Sequence, residues 1–332
     1  MAISLRDRGW QLFDEIVDSA PLAGENPWTR VGDDELFIPD YATLERLLGV
    51  PVYLSATSQS GVPALALDVW VSYELRRAGF DGDRVWPRAS EPRVMPYEVT
   101  QFIAGLPVKL RSQLADRVRG GKVVGAAKSA NLLGKNYVKQ VDVVMSSWAT
   151  GPELMISTKR MDSSFGKNAA NRVEESYGDA KNLRLRHPQA ALGFVYALSA
   201  ISLVTERDTA LWLIDLLQKL GREDDAYDAV ALVMPDLAGE QEPTGAEEPE
   251  PAGPLEAGAV DDDESELPVS SEPPADRLED VVPVSLYTGE IPNALDPGRF
   301  FAVMCARVLD NSPINFHTEA RRRRANPVTG PR

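Results

Sequence analysis

Asp142, the tripeptide Ser157-Thr158-Lys159 and the pair Glu174-Glu175 are residues whose types and spacing suit chemistry. Carboxylates hold hard dications through oxygen, and an amine beside them can orient a water and offset anionic charge. Residues 137–145 and 154–159 are β-rich runs separated by Ser-Trp-Ala-Thr-Gly-Pro, and residues 167–181 have helical character. The pattern predicts a strand, a hairpin turn, a strand and a helix. Side chains alternate along a strand, so Ser157 and Lys159 share one face while Ile156 and Thr158 take the other. An antiparallel, in-register pair places Asp142 on the Ser157 face.

Val141-Asp142 on one strand, followed by Ser157-Thr158-Lys159 on the next, resembles the active-site core of the PD-(D/E)xK nuclease superfamily, which includes most type II restriction endonucleases. Ser157 departs from the usual Asp or Glu. One branch of those enzymes carries Ser-x-Lys and takes its missing carboxylate from the next helix. Here 14 residues separate Lys159 from Glu174, a spacing close to that branch. The resemblance implies a restriction-endonuclease-like α/β fold, a mixed central sheet flanked by helices. It implies Asp142 and one of Glu174 or Glu175 as Mg²⁺ ligands, with Mn²⁺ as a substitute. Lys159 would polarise the attacking water, and Ser157 would hydrogen-bond a metal-bound water. An acid on the preceding helix, Asp68 by best match and Glu74 by second, would approach the same metal. Double-stranded DNA is then the substrate, a homodimer the expected assembly, and a cognate methyltransferase a companion. Lys135, Lys139, Arg160, Lys167 and Arg172 are candidate phosphate contacts, and Asn168, with Asn171, a candidate base contact.

Composition narrows the alternatives. One cysteine, Cys305, excludes an internal disulfide and a cysteine-based zinc site, and His187 and His317 are too few for a histidine-rich centre. Any metal must therefore sit among carboxylates. The net charge of −15 is unevenly spread. Residues 239–280 hold fifteen acidic side chains against Arg277 alone, whereas residues 101–190 hold fifteen Lys and Arg against seven acids. The candidate catalytic region is basic, as a phosphate-binding surface requires. No apolar run approaches membrane-spanning length and no signal-peptide pattern opens the chain, so a cytoplasmic protein is expected.

The elements that must position these residues follow from periodicity. Residues 5–18 place Trp10, Phe13, Ile16 and Val17 at helical spacing, and residues 40–48 form a short helix ended by Gly49 and Pro51. Gly61 and Pro63 open a helix over 64–78, with Asp68 beside its apolar stripe. Residues 81–95 read as loop, 96–104 and 109–119 as helices, and 122–128 as a first core strand. Residues 190–198 and 227–234 read as buried strands around an amphipathic helix over 208–220. The organisation is an N-terminal helical region (1–60), a nuclease-like core (61–237), an acidic disordered linker (238–280), and a C-terminal helix with a basic tail (281–332). The linker reads as a solubilising tether or a DNA-mimicking competitor for the basic face. Arg321 to Arg324 read as a solvated tail or a phosphate contact. Two rivals remain: a catalytically inactive DNA-binding or assembly protein on the same fold, and an α/β enzyme of another class. No glycine-rich nucleotide loop or serine-nucleophile motif supports the latter.

Overall fold

A computed structural model describes residues 3–119, 129–163, 165–237, 276–289 and 291–329. In chain order, α1 (Leu5–Asp18) leads into a hairpin of β1 (Trp28–Val31) and β2 (Asp34–Phe37), then α2 (Tyr41–Tyr53) and α3 (Val62–Arg77). A short β3 (Val85–Trp86) precedes α4 (Tyr97–Ala104) and α5 (Val108–Arg119). Four strands follow: β4 (Ala130–Leu133), β5 (Val138–Val141), β6 (Val143–Ser147) and β7 (Gly151–Met161). Then come α6 (Phe165–Arg184), β8 (Ala191–Leu198), α7 (Ser202–Thr205), α8 (Arg207–Leu220) and β9 (Ala229–Val233). The chain closes with α9 (Pro297–Asn311), α10 (Thr318–Ala325) and β10 (Val328–Thr329), which pairs parallel with β1.

The central sheet runs β3-β6-β7-β8-β9. β3, β6 and β7 pair antiparallel, whereas β7, β8 and β9 pair parallel through helical crossovers. Parallel strands demand such crossovers, and these cover the sheet on both faces. Alternation along the strands sorts the core accordingly. Leu154 and Ile156 of β7 and Ala191 and Val195 of β8 pack with α1, α2, α3 and α9. Met155, Leu192, Phe194 and Tyr196 pack on the opposite side with α6 and α8. The protein is thus α/β, with a mixed sheet flanked by helices. Residues assigned from sequence to an N-terminal region, a core and a C-terminal helix share one hydrophobic cluster. Among the described residues no helix is long and apolar enough to cross a membrane.

Several expectations change. α2 does not stop at Gly49; it continues to Tyr53 with Pro51 inside, because proline in the last turn forfeits only one helical bond. The 81–95 segment contains β3, whose two residues are too few to show a period and are set by pairing with β6. The single run over 137–145 is split at Asp142, where the chain leaves the β4–β5 ribbon for the central sheet. The strand expected over 122–128 and most of the acidic segment, 238–275, lie outside the described residues. Its last residues, 276–280, are ordered: Arg8 clasps both Asp276 oxygens at 2.6 and 2.8 Å, and Leu278–Asp280 form a helical turn.

The four arginines are not a tail. They lie in α10, where Arg321 donates to the carbonyls of Leu309 and Ser312 at 2.6 and 2.8 Å and Arg323 to that of Arg77 at 2.6 Å. His317 precedes α10 and its Nε2 lies 2.9 Å from Oε1 of buried Glu153 on β7. Burial pushes the Glu153 carboxyl up, but His317, Thr150 and Arg84 more than reverse this and leave it below the ordinary value. The ionised form therefore favours the fold. Its contribution is complete above an unfolded pKa of about 4.3 and is lost as pH falls through the lowered folded value. Acid titration of urea stability should show this loss in the wild type and a smaller one in His317→Gln; equal losses would mean the pair does not hold α10.

Candidate functional site

Three of the sequence candidates meet at one end of the β6–β7 pair. The register places Val143 opposite Ile156, so Asp142 stands across from Ser157 at the entrance to the sheet. Its Oδ2 accepts a hydrogen bond from the Thr158 backbone N–H at 2.8 Å. Asp68 reaches the same residue from α3, where its Oδ1 accepts from the Thr158 hydroxyl at 2.6 Å. Thr158 thus clasps two carboxylates from elements far apart in the chain, one through its side chain and one through its backbone. Lys159 follows directly and acts electrostatically on both acids.

α3 can present Asp68 in this way because almost its whole surface is buried, from Val62 through Arg77. A helix apolar around most of its circumference belongs inside a domain, and an acid on it must find partners. Burial drives the Asp68 carboxyl well above its ordinary value, the neighbouring Asp142 charge adds to this, and Thr158, Arg6 and Lys159 oppose it. Asp142 is also raised by burial, against the Thr158 amide, Lys159 and Lys139. The pair resists carrying two negative charges without a cation.

The displaced-carboxylate expectation fares differently. Glu174 points to solvent from α6. Glu175 faces inward but lies 3.4 Å from Lys139 Nζ, which also contacts Asp179 at 2.6 Å. Burial pulls the Lys139 ammonium down, and these two acids more than reverse it. Ser157 is buried on the α6 side beside Tyr227, whose hydroxyl donates to the Ser176 carbonyl at 2.9 Å. Glu74, the second helix candidate, is structural: it accepts from Arg77 at 2.7 Å and from the Asp40 amide at 2.6 Å in the core. Among the described residues no three acids, histidines or cysteines cluster as metal ligands.

The expected phosphate contacts are also thinned. Lys135 is exposed, but Lys139 is tied to α6. Arg160 is paired with Asp162 at 2.8 Å and its side chain is only 7% exposed, because it falls on the inward face of β7. Arg172 is half-buried. The side chains of Lys167 and Asn168 lie outside the described residues, while Asn171 is exposed on α6. Sequence reasoning missed Thr158 as the clasp and Arg6 as a neighbour of Asp68; neither belongs to a local pattern.

None of the family models, curated proteins or solved structures compared with this chain matches it.

Two substitutions test the clasp. Thr158→Val deletes the hydroxyl that serves Asp68 and should destabilise by about 1–3 kcal/mol, the usual cost of a buried acceptor losing its donor. Asp68→Asn keeps an oxygen for Thr158 and removes the like-charge contact, so it should raise the urea midpoint at pH 7 in a chelator. A fall comparable to that of Thr158→Val would mean that the two carboxylates do not oppose one another.

Proposed function

We propose that the protein is a divalent-cation-dependent DNA endonuclease whose site comprises Asp68, Asp142 and Lys159. The observation that carries this reading is the convergence of Asp68 and Asp142 on Thr158 with Lys159 alongside. Two carboxylates suit Mg²⁺ or Mn²⁺, since Mg²⁺ keeps several waters and commonly takes one or two carboxylates together with substrate phosphate. The raised proton affinity of the pair supports the same fit, because a dication neutralises the charges that burial and proximity oppose. Bound there, the ion would supply Lewis-acid stabilisation of the pentacoordinate phosphate. Lys159 would hold the attacking water and offset phosphate charge, and Thr158 would fix the spacing of the two acids. The mixed sheet with α3 ahead of the β6–β7 hairpin and α6 behind it is compatible with a restriction-endonuclease-like core. Sequence-specific cleavage of duplex DNA, by a dimer matched to a palindrome, belongs to this reading.

A second reading rests on Glu174 and Glu175. With one exposed and the other engaged by Lys139, the site has two carboxylates where the resemblance implies a third from α6. The chain would then bind DNA or assemble with it without cutting.

Incubating plasmid and phage DNA with the full chain separates the two. With Mg²⁺ or Mn²⁺ the wild type should give discrete fragments, and Asp142→Ala and Lys159→Ala should lose at least about 100-fold in rate. Glu174→Gln, solvent-facing, should retain activity. Retarded but intact DNA under every metal condition would favour the non-cutting reading.

A further inference from the structure

Asp68 has a cationic neighbour besides Lys159, contributed by the N-terminal helix. Arg6 lies in the first turn of α1, and Gly9, Trp10 and Phe13 continue its line at helical spacing, all three buried. Gly9 packs on Val62, the first residue of α3; a Cβ there would stand 3.1 Å from Val62 Cγ1. The opening turns of the two helices therefore touch. That contact carries Arg6 over Gly61, so that its Nη1 lies 2.9 Å from where a Cβ on residue 61 would be. Gly61 has φ of +68° and caps α3 without a side-chain bond, so glycine serves both the left-handed turn and the space for the guanidinium.

Asp68 stands about two turns along α3, and helical side chains tilt back toward the N-terminus. Its carboxylate consequently leans toward the end of the helix where Arg6 sits. After burial, Asp142 and the Thr158 bond, Arg6 is the next influence on that carboxyl, ahead of Lys159. Yet Arg6 makes no hydrogen bond or ion pair with any described residue. Its neighbours behave otherwise: Arg8 is clasped by Asp276, and Arg77 and Arg93 by Glu74 and Asp14. A half-buried guanidinium held near the Asp68 carboxylate and not bonded to it keeps its planar fork of donors for an incoming anion.

We propose that Arg6 is a phosphate-contacting residue of this site, its guanidinium meeting a non-bridging oxygen of the phosphodiester on the α1–α3 side while Lys159 faces it from β7. This rests on the nuclease reading and adds α1 to the substrate-binding surface. It also assigns Gly61 a reason to be glycine beyond backbone conformation.

The test uses the full chain with Arg6→Gln and Arg6→Lys, both of which keep an unbranched side chain at this position of α1. Plasmid cleavage is followed with Mg²⁺, Mn²⁺ affinity is measured without DNA, and duplex binding is titrated against salt with Ca²⁺ present. Arg6→Gln should cut slower by about 100-fold and lower the salt slope of duplex binding by about one, the change for one lost phosphate contact. Arg6→Lys should keep that slope and recover part of the rate, since the charge remains but the fork is gone. Wild-type cleavage by Arg6→Gln would overturn the inference and leave the nuclease reading standing. So would slow cleavage with an unchanged salt slope and a shifted Mn²⁺ affinity, because Arg6 would then only balance the charge of Asp68. If the wild type neither cuts nor binds duplex DNA, the nuclease reading fails and Arg6's role with it.

Discussion

A buried and a half-buried carboxylate bound to the same residue, Asp68 and Asp142 on Thr158, form the constraint on which the rest of this structure depends. Like charges in a low-dielectric interior repel strongly, and each also forfeits hydration. Thr158 offsets part of this cost by giving one donor to each acid. It can do so only while three conditions hold: β7 must present its residue at that height, β6 must begin directly after Asp142, and α3 must lie at a fixed depth. The β6–β7 register supplies the first two. The third falls to a buried network, in which Asp40 caps α2, accepts from the Tyr73 hydroxyl at 2.8 Å, and offers its amide to Glu74.

That network explains why so much of the chain surrounds α3. Glu74 pairs with Arg77 inside the core at 2.7 Å, and Arg77 reaches the Leu22 carbonyl while its own carbonyl accepts from Arg323 of α10. α2, α10 and the segment after α1 are thereby fastened to one helix whose sixteen residues are nearly all buried. From the other side, Phe301 of α9 meets Trp70 of α3 edge-on and stacks on Phe37 of β2. Such packing leaves α3 little freedom to slide, and a sliding α3 would carry Asp68 away from Thr158. Rigid elements hold reactive groups more closely than loops do, and here the site draws on helix and strand.

The parts legible in the sequence are those governed by local period. α1 and α8 follow their apolar stripes, and β8 and β9 follow short runs buried on both faces. Asp142 and Lys159 were legible because strand alternation and a tight turn bring them together with little help from the rest of the fold. Contacts between distant segments were not. Nothing near Thr158 says that Asp68 will need its hydroxyl, and nothing near Arg6 says that α1 will cross the start of α3. The phase of α6 was equally hidden: adjacent glutamates differ by about 100° around a helix, and only packing decides that Glu174 faces water and Glu175 faces Lys139. Arg321 to Arg324 misled for a related reason. A run of like charges suggests solvation, but two of those arginines are consumed by carbonyls at the end of α9 and α3, which composition cannot see.

The position of Glu175 bears on how far apart the cutting and non-cutting readings are. Lys139 sits between two acids at unequal distances, 2.6 Å from Asp179 and 3.4 Å from Glu175. The shorter contact retains the lysine if the longer one is released, and Asp179 is further anchored by the Tyr137 hydroxyl at 2.9 Å. Tyr227, buried beside Ser157, feels the charges of both Asp142 and Glu175. On the cutting reading, a dication held by Asp68 and Asp142 would compete with Lys139 for Glu175. To serve as the third ligand, Glu175 would have to give up its 3.4 Å contact with Lys139. On the cutting reading, the carboxylate that the resemblance calls for is held by Lys139, a residue that the strand pattern alone marks as an ordinary edge lysine.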